Sequence, residues 1–285
     1  MTISDVAREA GVGVGTVSRV LNNSPQVRDA TRQRVLRVMD ELDYSPNPFA
    51  RRLSLGRTLT LAVLVPFFTR PSFVERLRGI EAAIAETEYD LIVYNVESVD
   101  KRDDYFRRVS RPERIDGLII ISLSPSDEDV AHFLDSGVPT VLMDARHPQL
   151  NHVIVDDAEG GYMATQHLLE LGHKRIGFVG DAYPNPFHFT SSHQRHIGYE
   201  RALQRAGIDV RPEYSVTGDH GRDVAWKLAH KLLGLEEPPT AIVTASDSQA
   251  MGVLDAARER DVSVPDDLSV VGYDDIEIAE YLNLT

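Results

Sequence analysis

The sequence of 285 residues contains no cysteine, no long apolar run and, within its first 60 residues, no lysine. The lack of cysteine excludes disulfides, cysteine-bound zinc and a thiol nucleophile, and it fits a reducing compartment. No apolar stretch approaches the roughly 20 residues that cross a bilayer, so no membrane-spanning helix is predicted. The opening residues also lack the basic and then apolar pattern of a signal peptide. We therefore expect a cytoplasmic protein without a membrane partner.

Charge is distributed unevenly along the chain. Residues 1–60 hold nine arginines against six acidic residues, a net charge of +3, whereas the whole chain carries −14 and the remainder therefore −17. A mildly basic module joined to a strongly acidic body favours binding of a polyanion through the amino-terminal module, because the same polyanion repels the body.

Three short helices are predicted in this basic module. Thr2 and Asp5 have the spacing of a capping box, which starts a helix. A second helix is expected over residues 16–22, and a third opens at Asp29 or Thr31. Two helices joined by a tight turn and followed by a third form a helix-turn-helix, whose second helix can lie in the major groove of DNA.

The remainder of the chain has the pattern of an α/β protein. Apolar runs alternate with amphipathic helical segments, and the runs lie at 59–65, 91–94, 117–121, 140–143, 175–179, 240–244 and 268–272. Such runs indicate parallel strands covered by helices on both faces. Two series of them predict two lobes, with a ligand cleft beyond the carboxyl ends of the strands.

Neither a cofactor nor a catalytic site is predicted. No strand is followed by Gly-x-Gly-x-x-Gly, and no phosphate-binding loop of the Walker type occurs. The four histidines between positions 188 and 220 do not have zinc-site spacing, and Arg195 would repel a cation. Ser246 and Ser248 lack the context of a nucleophile elbow. We expect no enzymatic activity, no cofactor and no metal.

Short motifs along the chain carry a resemblance to one family. In the head they are Ile3-Ser4-Asp5-Val6-Ala7, Gly11-Val12, Thr16-Val17-Ser18-Arg19-Val20-Leu21-Asn22, Tyr44-Ser45-Pro46-Asn47 and Gly56-Arg57-Thr58. In the body they are Asp156-Asp157, Gly160-Gly161, Arg195 with Gly198-Tyr199, Val264-Pro265-Asp266-Asp267 and Gly272-Tyr273-Asp274-Asp275. With these motifs the chain resembles the lactose-repressor/galactose-repressor (LacI/GalR) family of bacterial transcription regulators, whose core is similar to periplasmic sugar-binding proteins.

The resemblance implies a domain organisation. A helix-turn-helix domain would span 1–46, a hinge helix and linker 47–57, and the two lobes of the effector core 58–157 and 158–285. It also implies that the second lobe is incomplete, because family members continue for some tens of residues beyond the equivalent of Thr285.

The DNA-contact residues come from two sources. Thr16, Ser18, Arg19 and Asn22 are outward residues of the second predicted helix and supply donors suited to phosphates and base edges. The resemblance adds Val14, Gly15, Asn47, Ala50, Arg51 and Leu53. Arginine can grip guanine with two hydrogen bonds, and the leucine of the hinge would enter the minor groove as a wedge. Val14 and Gly15 stand where relatives carry base-reading side chains, so we expect part of the operator to be read by apolar contact. The alternatives are a surface charge for Arg19 and an ordinary linker residue for Leu53.

Six effector-contact residues follow in the same way. They are Phe73, Asp144, Arg195, His220, Asp247 and Asp274. A guanidinium and a carboxylate facing a cleft can hold vicinal hydroxyls. The alternatives are an inter-lobe salt bridge for Arg195, a turn or cap for Asp274, and structural roles for the others. The exit of the first strand departs from the family pattern, since Phe67 and then Arg70-Pro71-Ser72-Phe73 stand where relatives often have Asp before Asn-Pro-Phe-Phe.

These features together predict a homodimeric, nucleoid-associated repressor of the cytoplasm that binds double-stranded operator DNA under the control of a small, sugar-like effector. Two alternatives stay within regulation: an effector that is a nucleoside or purine, and a protein co-regulator. A third, of a different class, is a sugar-binding transport component, which would have an export signal and lack the DNA-binding head.

Overall fold

The computed structural model describes residues 1–45 and 56–281, and the chain divides into two compact units, Met1–Leu59 and Thr60–Thr285. The predicted hinge residues Asn47, Ala50, Arg51 and Leu53 lie outside the described residues. Among the described residues no helix is long and apolar enough to cross a membrane.

The first unit contains three helices, α1 (Ile3–Glu9), α2 (Val14–Leu21) and α3 (Asp29–Glu41). The predicted capping box starts α1: the Thr2 hydroxyl accepts the Asp5 N–H at 3.3 Å, and the Asp5 carboxylate accepts the Thr2 N–H at 3.0 Å. The second helix begins two residues earlier than predicted, because Gly13 serves as its N-cap and its carbonyl accepts the Thr16 N–H at 2.8 Å.

Small apolar side chains form the core of this unit. Each helix contributes to it, through Val6, Ala7, Ala10, Val17, Val20, Val35 and Val38. Short valine and alanine side chains allow three short helices to approach closely, and tertiary packing of this kind supplies stability that isolated helices of this length lack.

The first lobe of the second unit is a five-stranded parallel sheet with helices packed against it. Its elements are β1 (Thr60–Pro66), α4 (Pro71–Ile84), β2 (Asp90–Val96), α5 (Val99–Arg108), β3 (Gly117–Ile121), α6 (Asp127–Ser136), β4 (Thr140–Met143) and β5 (Asn151–Val153). The strand order is β2-β1-β3-β4-β5. All pairs are parallel, with Leu61 opposite Gly117 and Leu118 opposite Thr140.

The second lobe repeats this plan with four parallel strands. Its elements are α7 (Asp157–Glu170), β6 (Ile176–Asp181), α8 (Ser191–Arg205), a 3-10 helix (Pro212–Tyr214), β7 (Ser215–Gly218), α9 (Arg222–Leu233), β8 (Ala241–Thr244), α10 (Asp247–Glu259), β9 (Ser269–Val271) and a second 3-10 helix (Glu277–Tyr281). The strand order is β7-β6-β8-β9. The predicted fold class, a helix-turn-helix head followed by two parallel α/β lobes, is confirmed.

Each of the seven predicted strands is present, and two strands were missed. β5 and β7 have three and four residues and contain no apolar run, so their sequences give no signal. β2 lies at the sheet edge, and its residues Ile92 and Val93 are 42% and 41% exposed.

The parallel strands bring polar side chains to one edge of each sheet. Each lies at or shortly after the carboxyl end of a strand. For β1, β3, β4, β6, β8 and β9, in that order, they are Arg70, Ser122, Asp144, Asp181, Ser246 and Asp274. The lobes face each other at these edges, so the fold places residues far apart in sequence around one cleft.

Two glycines allow α7 and α8 to pack backbone against backbone. A methyl group at Gly161 would meet the carbonyl oxygen of Arg195, and one at Gly198 would meet the carbonyl oxygen of Ala158 and lie 2.5 Å from the amide nitrogen of Tyr162. This close approach sets the distance between the start of α7, where Asp157 lies, and Arg195 on α8.

We expect Gly198→Ala to destabilise the second unit. The added methyl forces the two helices apart, and overpacking of this kind costs about 1–3 kcal/mol. At roughly 2–4 °C per kcal/mol for a domain of this size, thermal unfolding followed by circular dichroism should shift downward by several degrees.

Gly79→Ala is the matched control, because a methyl group at Gly79 in α4 has nothing within 4 Å. It should leave the melting temperature unchanged or raise it slightly, since alanine is the better helix former. Equal effects of the two substitutions would contradict the packing role of Gly198.

Candidate functional site

The outward surface of α2 carries the predicted DNA-contact residues of the head. Val17 and Val20 are buried in the core, whereas Val14 is 44% exposed. The predicted residues Val14, Gly15, Thr16, Ser18 and Arg19 lie on this helix and are at least partly exposed, whereas Asn22 is its C-cap and has a buried side-chain oxygen. No acidic residue lies in the first turn of α2, so the positive end of its dipole is available to a phosphate group.

Arg32 on α3 holds the turn that follows α2. Its guanidinium donates to the carbonyl oxygen of Ser24 at 2.6 Å, to that of Val20 at 3.5 Å and to the side-chain oxygen of Asn23 at 3.3 Å. The orientation of α2 thus depends on an arginine that sequence reasoning counted only as charge. No sequence signal identifies it, because its partners are largely main-chain atoms 8 to 12 residues away.

A cleft lies between the two lobes of the second unit. It encloses about 680 Å³ of space not occupied by protein atoms, including open solvent at its mouth. Five of the six predicted effector residues line it: Phe73, Asp144, Arg195, His220 and Asp274. Sequence reasoning missed further polar residues of its walls, among them the charged residues Arg70, Arg76 and Asp181 and several hydroxyl residues such as Ser122.

The wall from the first lobe is built around Asp144. The Arg76 Nε donates to its carboxylate at 2.5 Å, and the Ser122 hydroxyl donates to it at 3.3 Å. Arg76 is itself held by the carbonyl oxygen of Ser72 at 2.7 Å. Its guanidinium lies 5.7 Å from the ring centre of Phe73. This wall therefore offers a fixed carboxylate, a fixed guanidinium and an aromatic ring.

The wall from the second lobe is built around Arg195, which is 6% exposed. Its Nε donates to Asp157 at 2.8 Å, one terminal nitrogen donates to the carbonyl oxygen of Ala245, and the same nitrogen lies 3.6 Å from Asp274. The Tyr273 ring lies against the guanidinium at 3.5 Å. Both carboxylates belong to the same lobe as Arg195, so these ion pairs do not join the lobes.

Asp274 has an unusual protonation equilibrium. Burial raises the pKa of its carboxyl group to about 6, although Arg195 and Arg76 oppose the shift. Its side chain is 13% exposed. Asp274 is therefore a carboxylate that faces the cleft with incomplete charge compensation, a state that favours hydrogen-bond donors from a ligand.

Asp181 and His220 form a second polar pair on this wall. His220 Nδ1 lies 3.1 Å from the Asp181 carboxylate, and the Gln249 amide donates to the same carboxylate at 2.9 Å. The Asp181 N–H donates to the Ser192 hydroxyl at 2.8 Å. The sequence signal for Asp181 was an acidic residue at the carboxyl end of a predicted strand.

The structure does not place Asp247 in the wall of the cleft. Asp247 is 3% exposed, and its carboxylate accepts the Ile276 N–H at 2.9 Å while its own N–H donates to the Tyr273 carbonyl at 2.7 Å. These bonds hold the loop that carries Asp274. Burial raises the pKa of Asp247, and the Ile276 N–H opposes that shift.

Backbone strain concentrates at the cleft. Among residues other than glycine, four that line it have a positive φ: Ser122, Asp144, His188 and Asp274. Such conformations cost free energy and persist where surrounding contacts enforce them, which occurs most often at functional sites.

The connection between β6 and α8 reaches from the second lobe to the first. Phe187 from this connection is 8% exposed and belongs to the core cluster of the first lobe. Its ring meets the ring of Phe67 edge to face, with the centres 5.3 Å apart. The side chain of Asn185 holds the connection in shape by bonding both the N–H and the carbonyl of Phe189, each at 3.0 Å. This connection thus ties the two lobes together beside the cleft.

The histidines of this region serve separate contacts. His193 stacks on Tyr183 with ring centres 4.3 Å apart, and His196 lies 2.9 Å from the Ser215 hydroxyl. Within residues 1–45 and 56–281 no three histidine, cysteine or acidic side chains are grouped as metal ligands.

We expect Asp274→Asn to change how stability depends on pH. The folded protein retains the Asp274 proton up to about pH 6, whereas the ordinary pKa is 3.8. The stabilisation from that proton is complete below pH 3.8 and is lost as the pH rises through 6. Relative to Asp274→Asn, the wild type should lose up to roughly 3 kcal/mol across this window.

The measurement is denaturant unfolding at a series of pH values, read by the fluorescence of Trp226, the single tryptophan of the chain. Trp226 lies in α9 and reports on the second lobe. A difference between wild type and variant that stays constant from pH 4 to pH 7.5 would contradict the raised pKa of Asp274.

Comparison with known proteins places these sites in a family. Residues 2–47 match the family described as bacterial regulatory proteins, lacI family, and residues 165–285 match the periplasmic binding protein-like domain. Catabolite control protein A of Priestia megaterium is 35% identical over 282 residues, which cover 98% of this chain and 84% of that protein.

Solved structures agree with this placement. The lac repressor dimer bound to operator and the anti-inducer ONPF has a TM-score of 0.84 at 28% identity, covering 98% of this chain and 84% of that one. The transcriptional regulator CelR in complex with cellobiose has a TM-score of 0.68 at 32% identity, covering 99% and 85%. Head, core and overall similarity agree, and the chain belongs to the lacI family of bacterial regulatory proteins, as a transcriptional regulator and not an enzyme.

Proposed function

We propose that this regulator is a repressor that binds operator DNA through α2 and the hinge, and that a sugar or sugar derivative bound between the lobes controls its affinity for DNA. The observation that carries the proposal is the pairing of guanidinium and carboxylate groups on both walls of the cleft, Arg76 with Asp144 and Arg195 with Asp274. Such pairs supply the donors and acceptors that vicinal hydroxyls need.

The DNA contacts are assigned to Val14, Gly15, Thr16, Ser18 and Arg19 on α2, to its C-cap Asn22, and to Asn47, Ala50, Arg51 and Leu53 beyond it. Exposure of the first five residues supports their assignment, whereas the roles of Asn22 and of the last four residues stay predictions. We also retain 1–46 for the head, 47–57 for the hinge and linker, and a core that begins at 58, supported by the division of the chain after Leu59. The boundary between the lobes, predicted at 157/158, is proposed one residue earlier, because Asp157 is the first residue of α7 in the second lobe. A protein of this kind acts on the nucleoid in the cytoplasm.

The effector contacts are assigned to Phe73, Asp144, Arg195, His220 and Asp274, with Asp247 as a support for the Asp274 loop. A ligand that contacts both walls stabilises one arrangement of the lobes over another, and only such differential binding can shift a regulatory equilibrium. Nucleosides and a protein co-regulator remain outcomes of the test below. A transport component is disfavoured because the same chain carries the helix-turn-helix.

A homodimer is the assembly that fits a palindromic operator. Exposed apolar side chains on α4 and the edge strand β2 support it, since Val74, Ile92 and Val93 are 39%, 42% and 41% exposed. Exposed apolar residues of this kind provide surface that a second copy can cover.

We expect the full chain to select a palindromic sequence from a pool of random double-stranded DNA. Arg19→Ala should then weaken binding of the selected duplex by about 5- to 150-fold, the range for loss of one bidentate contact between arginine and a base. Fluorescence anisotropy with the labelled duplex measures this loss.

Arg8→Ala is the control for charge, because Arg8 on α1 pairs with Asp5 and its side chain is 77% exposed. It should change the affinity by less than threefold. Equal losses for the two variants, or no sequence selected from the pool, would overturn the assignment of α2.

We expect Arg195→Lys to abolish the response to effector while DNA binding persists. A sugar present at a hundred times its dissociation constant stabilises a protein by about 2.7 kcal/mol, which corresponds to roughly 5–10 °C in melting temperature. Lysine keeps the charge but not the planar fork of donors. Thermal unfolding with a panel of monosaccharides, disaccharides and nucleosides would identify the stabilising ligand and then compare the variant.

Arg201→Lys on the same helix is the control, because Arg201 pairs with Glu159 and does not line the cleft. It should respond as the wild type does. A normal ligand-induced shift in Arg195→Lys would remove Arg195 from the effector site, and stabilisation by nucleosides alone would replace the sugar class.

A further inference from the structure

A second cavity adjoins the cleft on the side of the connection between β6 and α8. It encloses about 800 Å³ of space not occupied by protein atoms, including open solvent, compared with about 680 Å³ for the cleft. We call it the aromatic pocket, and the residues that line it and not the cleft include Phe67, Ala182, Asn185, Phe187 and Asp219. Four residues line both spaces: Arg70, Asp181, Phe189 and His220. The two cavities therefore adjoin at these residues and can form one elongated site.

Three phenylalanine rings give this pocket its chemistry. Phe67 and Phe187 meet edge to face, and Phe187 stacks on Phe189 with ring centres 5.3 Å apart. Asp219 is an exposed carboxylate at the same pocket. Sugar rings present an apolar face of C–H groups and an edge of hydroxyl groups, so aromatic rings beside a carboxylate match both features.

Arg70 lies in the wall that the two cavities share. Its guanidinium lies 4.1 Å from the centre of the Phe67 ring. Burial lowers the pKa of Arg70, and the charge of Asp181 opposes that shift. Asp181 already accepts a hydrogen bond from Gln249 and lies within hydrogen-bonding distance of His220. The N–H groups of Arg70 therefore lie where they can donate hydrogen bonds to a ligand that extends from one cavity into the other.

The aromatic pocket is held in shape before any ligand binds. The Ala182 N–H donates to the Gly218 carbonyl at 2.7 Å. The side chain of Asn185 bonds both main-chain groups of Phe189. Phe187 is buried in the core of the first lobe. A preformed cavity binds a ligand without the cost of ordering its own walls.

We propose that the aromatic pocket is a second sugar subsite, and that the effector is a glycoside of at least two linked rings, one between the paired charges of the cleft and the other against the phenylalanine rings. This inference rests on the proposed function of the cleft. A single sugar ring in the cleft would leave the aromatic pocket empty. Because the connection between β6 and α8 supplies most of the residues of that pocket, this connection selects for the longer ligand.

The test titrates the full chain by calorimetry with glucose, galactose, maltose, cellobiose and lactose. We expect one disaccharide to bind at least tenfold more tightly than its constituent monosaccharides. Ala182→Leu, which places three further carbon atoms at the aromatic pocket, should reduce the affinity for that disaccharide to the monosaccharide level and change monosaccharide binding by less than twofold. Ala182→Ser, of nearly the original size, should behave as the wild type.

Asp219→Ala provides a second variant that leaves the packing of the core intact. Loss of a hydrogen bond to a charged group should weaken the disaccharide by about tenfold and leave the monosaccharide unchanged. Trp226 fluorescence on heating checks that each variant is folded. A monosaccharide that binds as tightly as any disaccharide, or a disaccharide preference that survives both Ala182→Leu and Asp219→Ala, would overturn the second subsite while leaving the cleft assignment intact. Failure of every sugar to bind would overturn the sugar class itself and the subsite with it.

Discussion

The arrangement around the Arg195 guanidinium is the constraint on which the second lobe depends. This one buried cation bonds Asp157 at the start of α7 and the carbonyl group after β8, and it lies beside Asp274 and Tyr273 in the loop after β9. A buried charge is tolerated only when such partners surround it, because its desolvation is otherwise costly. The loop that presents Asp274 to the cleft is therefore fixed by the same contacts that neutralise Arg195.

This arrangement in turn requires close helix packing. Arg195 and Asp157 lie on α8 and α7, and the glycines at 161 and 198 let these helices approach until their backbones touch. The cost of holding Asp274 nearly buried appears as its raised pKa, and the cost of turning the chain sharply at strand ends appears as the positive φ values along the cleft. These costs are therefore concentrated where a ligand would bind, and a ligand that offsets them in one arrangement of the lobes favours that arrangement.

Much of the fold could be predicted because its signals are local. The capping box at Thr2 and the apolar runs of β1, β3 and β4 depend on neighbouring residues alone, and their positions follow from propensity and periodicity. The start of α2 was misplaced because Gly13 caps it through main-chain geometry, which leaves no polar side chain as a signal. β5 and β7 were missed because a strand of three or four residues depends on its neighbour in the sheet and carries no pattern of its own.

The sequence by itself determined the helix-turn-helix, the two parallel α/β lobes and the family, because periodicity, caps and motif order are written along the chain. Through the family resemblance it also offered Arg195 and Asp274 as candidates for the cleft. Only the tertiary structure decided that these two residues are paired within one lobe, that Asp247 supports a loop, and that Asp181, Arg70 and Arg76 face the cleft. It alone brought Phe187 from the second lobe into the core of the first. The physical reason is that side-chain contacts between residues distant in sequence depend on how the sheets and helices pack, and neither propensity nor spacing encodes that packing.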